Sequence, residues 1–200
     1  MNRTPSAPFA IPVMGDDVAM EVLQWIGAFR ALKEALVISF NMQDYDFWGH
    51  GRLSMLLRRQ IAYGAKVILL TTPPPGKGTG KAFKEKLALL ENLAREGVEI
   101  HLHERLHAKA YIFLDDRELC MTIVGSANLT SRGFGVRSMP QEDWLELAIL
   151  TADPDVHRAT VELAKKRLLG DSESLDFAAW ATKNHEKIAQ ARGGTQWRIH

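Results

Sequence analysis

Apolar and polar positions recur along the chain with two different periods, and the change from one to the other marks out the elements. Residues 35–41 (ALVISFN) and 65–71 (AKVILLT) are short, nearly continuous apolar runs, which predicts strands buried on both faces. VEIHLH, 98–103, is a third strand. Helical periods lie between and before them. Residues 16–33 place Val18, Val22, Leu23, Ile26 and Phe29 on one face, with Asp16 or Asp17 as cap. Residues 50–63 stop at Gly64, and residues 81–96 stop at Gly97. TPPPGKGTG, 72–80, is a loop. HAKAYIFL (107–114) and LCMTIVG (119–125) flank a DDRE turn and predict a β-hairpin. A polar, glycine-rich stretch follows over 126–140, then a strand over 144–150 (WLELAIL) and two closing helices over 154–169 and 172–191. The expected fold class is α/β: a mixed β-sheet flanked by helices on both faces. One domain is expected over 16–170. Residues 1–15 form an irregular, proline-rich lead-in, and 171–200 a C-terminal helix and tail.

Composition adds limits. Two hundred residues are a single-domain length, and 46% hydrophobic with 24% charged residues is an ordinary globular balance. Cys120 alone cannot form an intramolecular disulfide, which fits a reducing, cytoplasmic compartment. No leader-like apolar run or membrane span is seen, so no membrane partner is expected. The net charge of +1 conceals an uneven layout: residues 51–140 carry 14 basic and 8 acidic side chains, while both flanking segments are net acidic. A polyanionic partner suits that middle segment.

The candidate chemistry lies in the same segment. His107 and Lys109 are two apart on a predicted strand and so project together. The returning hairpin arm ends at Gly125-Ser126-Ala127-Asn128, which brings Ser126 and Asn128 beside His107, with Gly125 allowing close approach of a ligand. An imidazole nucleophile or acid, a fixed ammonium and two neutral donors suit a phosphodiester. Glu146 interrupts an otherwise apolar strand. Its expected partner is the His107 imidazole, the other reading being an edge strand whose Glu146 faces water.

HAK…GSAN resembles the phospholipase D superfamily, whose signature is H-x-K-x4-D-x6-G-S-x-N. The resemblance spans residues 20–170 and implies a phosphohistidine intermediate. It gives His107 as nucleophile, Lys109 and Asn128 as phosphate holders, Ser126 as helper and Glu146 as the group orienting the histidine. Two departures stand out. Leu114 occupies the aspartate position, with Asp115 and Asp116 just after it, and the gap to Gly125 is four residues longer than the pattern. A longer hairpin absorbs an even insertion without turning its faces over. The mechanism requires two histidines and the chain carries one such motif, so a homodimer with one composite site is expected.

Other features are weaker. GKGTGK, 76–81, lacks the spacing and the Ser/Thr of a phosphate loop. His101, His103 and His107 lack further ligands at metal spacing, so no metal and no cofactor is expected. Cys120 sits in an apolar strand as a small hydrophobe, and His185 begins a solvated helix face. Lys77, Lys81, Lys84 and Lys86, with Arg58, Arg59, Arg132 and Arg137, are candidate nucleic-acid contacts, the alternative being a solvated face. The favoured function is a metal-independent phosphodiesterase, an endonuclease on DNA or RNA. The alternatives are a phospholipase or phosphatidyl transferase, and an inactive nucleic-acid-binding module. No recognition domain is seen, so sequence specificity would need a recognition or helicase partner.

Overall fold

The computed structural model describes residues 10–27, 31–44, 46, 49–76, 78–130 and 146–193. Eight strands form one sheet. They are β1 Ala10–Met14, β2 Leu32–Ser39, β3 Lys66–Thr71, β4 Glu99–His103, β5 Lys109–Asp115, β6 Cys120–Gly125, β7 Leu147–Thr151 and β8 Ser174–Asp176. Their spatial order is β1-β7-β6-β5-β2-β3-β4-β8. β2, β3 and β4 are parallel, and every other pairing is antiparallel, so the sheet is mixed as expected. The helices are α1 Gly15–Ile26, α2 Leu53–Ala62, α3 Lys81–Arg95, α4 Pro154–Ala164, α5 Phe177–Lys183 and α6 His185–Ala191.

The central strands bury both faces, which is why they read as unbroken apolar runs. Ala35, Val37, Val67, Leu69, Tyr111 and Phe113 face α1, α2, α3, α5 and α6 in the larger core. Leu36, Ile38, Ile68, Leu70 and Ile112 face α4 in a smaller one. The α4 layer is narrow. It leaves Val124, Leu147 and Ile149 exposed toward the β1 edge. Among the described residues no helix is long and apolar enough to cross a membrane.

Several boundaries differ from the sequence expectation. The lead-in is not wholly irregular: Ala10–Met14 is an edge strand on β7, with Pro12 tolerated because an edge strand has a free side. The first helix ends at Ile26, and the Met14 N–H donates to the Asp17 carboxylate at its start. The expected helix over 154–169 is α4 followed by a π-helical turn, Lys165–Leu169. The expected helix over 172–191 divides into β8, α5 and α6. Asp176 ends the strand by capping α5 through Ala179 N, at 2.7 Å. The last large strand is Leu147–Thr151. Glu146 lies just before it, and Trp144 lies outside the described residues.

Candidate active site

Four chain segments meet beyond the C-terminal end of β2. Open α/β sheets leave their crevice at the carboxyl ends of parallel strands, where neighbouring connections diverge. Here β2 has parallel β3 on one side and antiparallel β5 on the other. Lys109 opens β5 opposite Ser39, the last residue of β2. Its side chain is buried and faces the larger core's side, in step with Tyr111 and Phe113. Two residues earlier the exposed His107 has Nδ1 at 3.4 Å from Lys109 Nζ. Phe40, just after β2, places its ring 5.6 Å from the imidazole and 5.8 Å from the ammonium. His107 Nε2 makes no hydrogen bond to the described residues.

The segment 126–130 is fixed from below. Buried Tyr111 donates its hydroxyl to Ala127 O at 2.8 Å, and burial pushes that phenol's pKa well above its usual value. Leu129 N donates to Ser39 Oγ at 2.9 Å, and Gln43 N to Leu129 O at 2.9 Å. Asn41 N donates to Asn128 Oδ1 at 3.2 Å, which leaves the Asn128 amide N–H groups as its donors toward a ligand. His107 and Lys109 thus meet directly, and Asn128 is joined to them through the Phe40–Asn41 segment.

Two expectations need correction. Glu146 does not pair with His107. Its carboxylate accepts the Ser126 hydroxyl, and Leu147 N donates to the same Ser126 oxygen at 3.1 Å. Ser126 N also donates to Leu147 O at 3.0 Å, so β6 and the start of β7 close on each other before Glu146 can reach further. Gly125 is the reason they can. A Cβ there would lie 2.5 Å from the Ala148 Cβ and 2.6 Å from Leu147 O. The glycine is required by this strand contact, a role the sequence reading did not assign to it.

Asp115 stands at the far end of β5 from His107. It is buried, and its Oδ1 accepts the N–H groups of Arg117 and Leu119, closing the hairpin turn. Glu118 in that turn has φ 62°, a left-handed conformation. The aspartate after the motif is thus a turn-builder in this chain.

The proposed nucleic-acid contacts divide by location. Lys81 and Lys84 are exposed at the start of α3, on the same edge of the sheet as His107. Arg58 and Arg59 are not. They lie near the end of α2, on the opposite edge, where Arg58 Nε is 3.1 Å from Glu96 and Arg59 donates to the Tyr63 hydroxyl at 3.1 Å. A helix that leaves the site edge reaches the other edge within ten residues, which a linear reading of charge does not register. Lys77, Arg132 and Arg137 lie outside the described residues.

Lys86 differs from its neighbours. It is only 8% exposed, and its ammonium donates to Thr72 Oγ1 at 2.7 Å. Burial pushes its pKa down to about 8. The signal was present in the sequence: Phe83, Lys86, Leu87 and Leu90 occupy one inward stripe at helical spacing. Elsewhere, His101 pairs with Glu99, and Cys120 is a buried thiol whose pKa is raised first by that burial. His103, Asp171 and Glu173 cluster near β8, but Glu173 is gripped by Arg105 through both carboxylate oxygens.

Known folds and families agree with this architecture. No curated protein sequence matches the chain significantly. Phosphatidylserine synthase from Haemophilus influenzae superposes with a TM-score of 0.59 at 10% identity, covering 92% of this chain and 44% of that one. NucT from Helicobacter pylori gives 0.57 at 14% identity, covering 85% of this chain and 99% of that one. Polyphosphate kinase from Porphyromonas gingivalis gives 0.58 at 16%, covering 86% of this chain but only 28% of that one. Residues 30–167 match the family described as cardiolipin synthase, PLD-like domain. That span holds His107, Lys109, Ser126, Asn128 and Glu146, and the chain belongs to this PLD-like family, within a superfamily of phosphodiesterases and phosphotransferases.

Proposed function

We propose that the protein is a nuclease that cleaves DNA or RNA through a phosphohistidine at His107. One observation carries the reading: an imidazole whose Nε2 has no hydrogen bond to the described residues stands beside a buried lysine, with an oriented amide donor on the adjoining segment. In the first step Nε2 attacks phosphorus, forming a P–N bond as the P–O bond to the leaving nucleoside breaks. Lys109 and the Asn128 amide neutralise charge growing on the phosphoryl oxygens. Water then attacks phosphorus, the P–N bond breaks, and the imidazole is restored. Cationic and amide donors from the chain supply the charge stabilisation, which makes the step independent of a metal ion. Ser126, held by Glu146, positions the β6–β7 edge of the pocket.

The leaving oxygen needs an acid, and one chain offers a single His107. We therefore assign the working unit as a homodimer in which a second His107 is that acid. Val124 and Ile149 pair across β6 and β7, and both are exposed with Leu147 beside them. This apolar patch adjoins Gly125 and Glu146 and suits a second copy.

The test is cleavage of labelled single- and double-stranded DNA and RNA in EDTA, alongside His107→Ala. Cleavage by the wild type and its loss in the variant support the reading. Equal cleavage by both, or cleavage that stops in EDTA, overturns it. The PLD-like family description and the phosphatidylserine synthase fold favour one competing reading, phosphatidyl transfer. Turnover on phospholipid vesicles with none on nucleic acid selects it. Sedimentation of a fully active monomer would contradict the dimer.

A further inference from the structure

A groove of about 1090 Å³ opens beside the site, between the β3–α3 loop and the pair α5–α6. Phe40 and Asn41 line one end of it, and these residues contact His107 and Asn128. Thr72, Lys86, Asn184 and Lys187 line it further along. Lys86 is more than nine-tenths buried there. Its stem lies in the apolar stripe of α3, and its ammonium meets the Thr72 hydroxyl. Thr72 Oγ1 in turn donates to Phe40 O at 2.8 Å, which ties the lysine to the residue stacked near the imidazole. No carboxylate of the described residues pairs with Lys86. Three acids line the groove: Asp44 accepts Ser54 N and Oγ at 2.9 Å, Glu85 lies 3.8 Å from Lys81, and Glu104, across the groove on the segment after β4, makes no pair with Lys86. Lys187 donates to Gly76 O at 2.6 Å.

A buried ammonium without a counter-ion is costly, and most buried lysines are paired. A lysine kept in that state next to a catalytic opening is suited to an anion that arrives from outside. We propose that Lys86, with Thr72, is a second phosphate subsite, holding a further phosphate of the strand whose scissile phosphate sits at His107. This rests on the reading of the chain as a nuclease and adds that the substrate must carry more than one phosphate. The lowered pKa of Lys86 agrees with an unpaired, buried cation.

The experiment measures binding of a fluorescent oligonucleotide to the full-length protein carrying His107→Ala, with and without Lys86→Met. Lys86→Gln is made in parallel, because it removes the charge but keeps a donor for Thr72. Circular dichroism and thermal melting establish that each variant folds. Both are expected to weaken oligonucleotide binding roughly tenfold to a hundredfold, the range for losing one charge-assisted contact. The slope of log K against log salt should fall by about one. A dinucleoside monophosphate, with its single phosphate, should show a ratio near one between parent and variant. Unchanged oligonucleotide binding in a folded variant overturns the subsite, as does an equal loss for the dinucleoside. The nuclease reading fails separately, if the wild type binds but never cleaves. Weakened binding in both Lys86 variants would then still support the subsite.

Discussion

The two edges of the sheet differ in their buried cations. At the N-terminal ends of the parallel strands, basic residues are matched with carboxylates: Lys33 with Glu118, Lys66 with Glu99, Arg58 with Glu96, and Lys165 with Glu34. These pairs are largely solvated and add little to stability. At the C-terminal ends exposed Arg105 also has a carboxylate, Glu173, but the two buried lysines do not: Lys109 meets an imidazole and Lys86 a hydroxyl. The first arrangement solubilises the fold. The second keeps positive charge available, at a cost in stability, where the proposed function requires a phosphate to bind. Burial together with position relative to the strand ends, more than the count of basic residues, separates these two kinds of cation.

Breaking the site edge should have the largest effect. His107→Ala is expected to lower the hydrolysis rate on the order of 10³-fold or more, read from single-turnover cleavage. Lys109→Met should lower kcat by roughly 10²–10³-fold with a smaller change in KM, since the ammonium matters most as charge develops. Gly125→Ala should destabilise the fold by about 1–3 kcal/mol, seen as a lower midpoint in urea, because its Cβ meets Ala148 and Leu147.

Lys86 sharpens the contrast through stability. Its pKa is lowered from 10.5 to about 8 by burial. Below pH 8 both folded and unfolded chains carry the charge, and the burial cost is fully present. Between pH 8 and 10.5 the unfolded chain binds more protons, so this group makes stability rise with pH. Lys86→Met should therefore stabilise the protein at pH 7, by at most about 3 kcal/mol. The gain should shrink toward pH 10 in urea titrations. Asp44, Arg52, Glu85, Glu104 and Lys187 are the other charged residues around this groove, and they are common to both proteins being compared. The smallest effect belongs to the opposite edge. Arg58→Ala with Arg59→Ala should change oligonucleotide binding less than twofold and stability within about 1 kcal/mol.

The sequence was most readable where a single period dominates. β2, β3, β5 and β6 have both faces buried or a clear turn between them, and their positions follow from apolar runs and breakers. The grouping of His107, Lys109 and Asn128 follows from the hairpin, since strand geometry carries it. β1 and β8 were not legible because each is an edge strand whose pairing depends on distant residues, Thr151 to Leu147 and His101 to His103. The Glu146–Ser126 bond depends on how closely β6 and β7 approach, which Gly125 permits but does not announce. Lys86 was legible in principle, since its place on the inward stripe of α3 was visible, but a lysine's charge masks its position when basic residues are grouped by sequence.

The central claim is that His107 forms a covalent bond to substrate phosphorus. Acid-free quenching of the protein with a 32P-labelled oligonucleotide tests it directly. Wild-type protein should carry label that survives alkali, is released by acid, and is absent from His107→Ala. Cleavage without labelled protein at any quench time, or equal labelling of His107→Ala, would contradict the account.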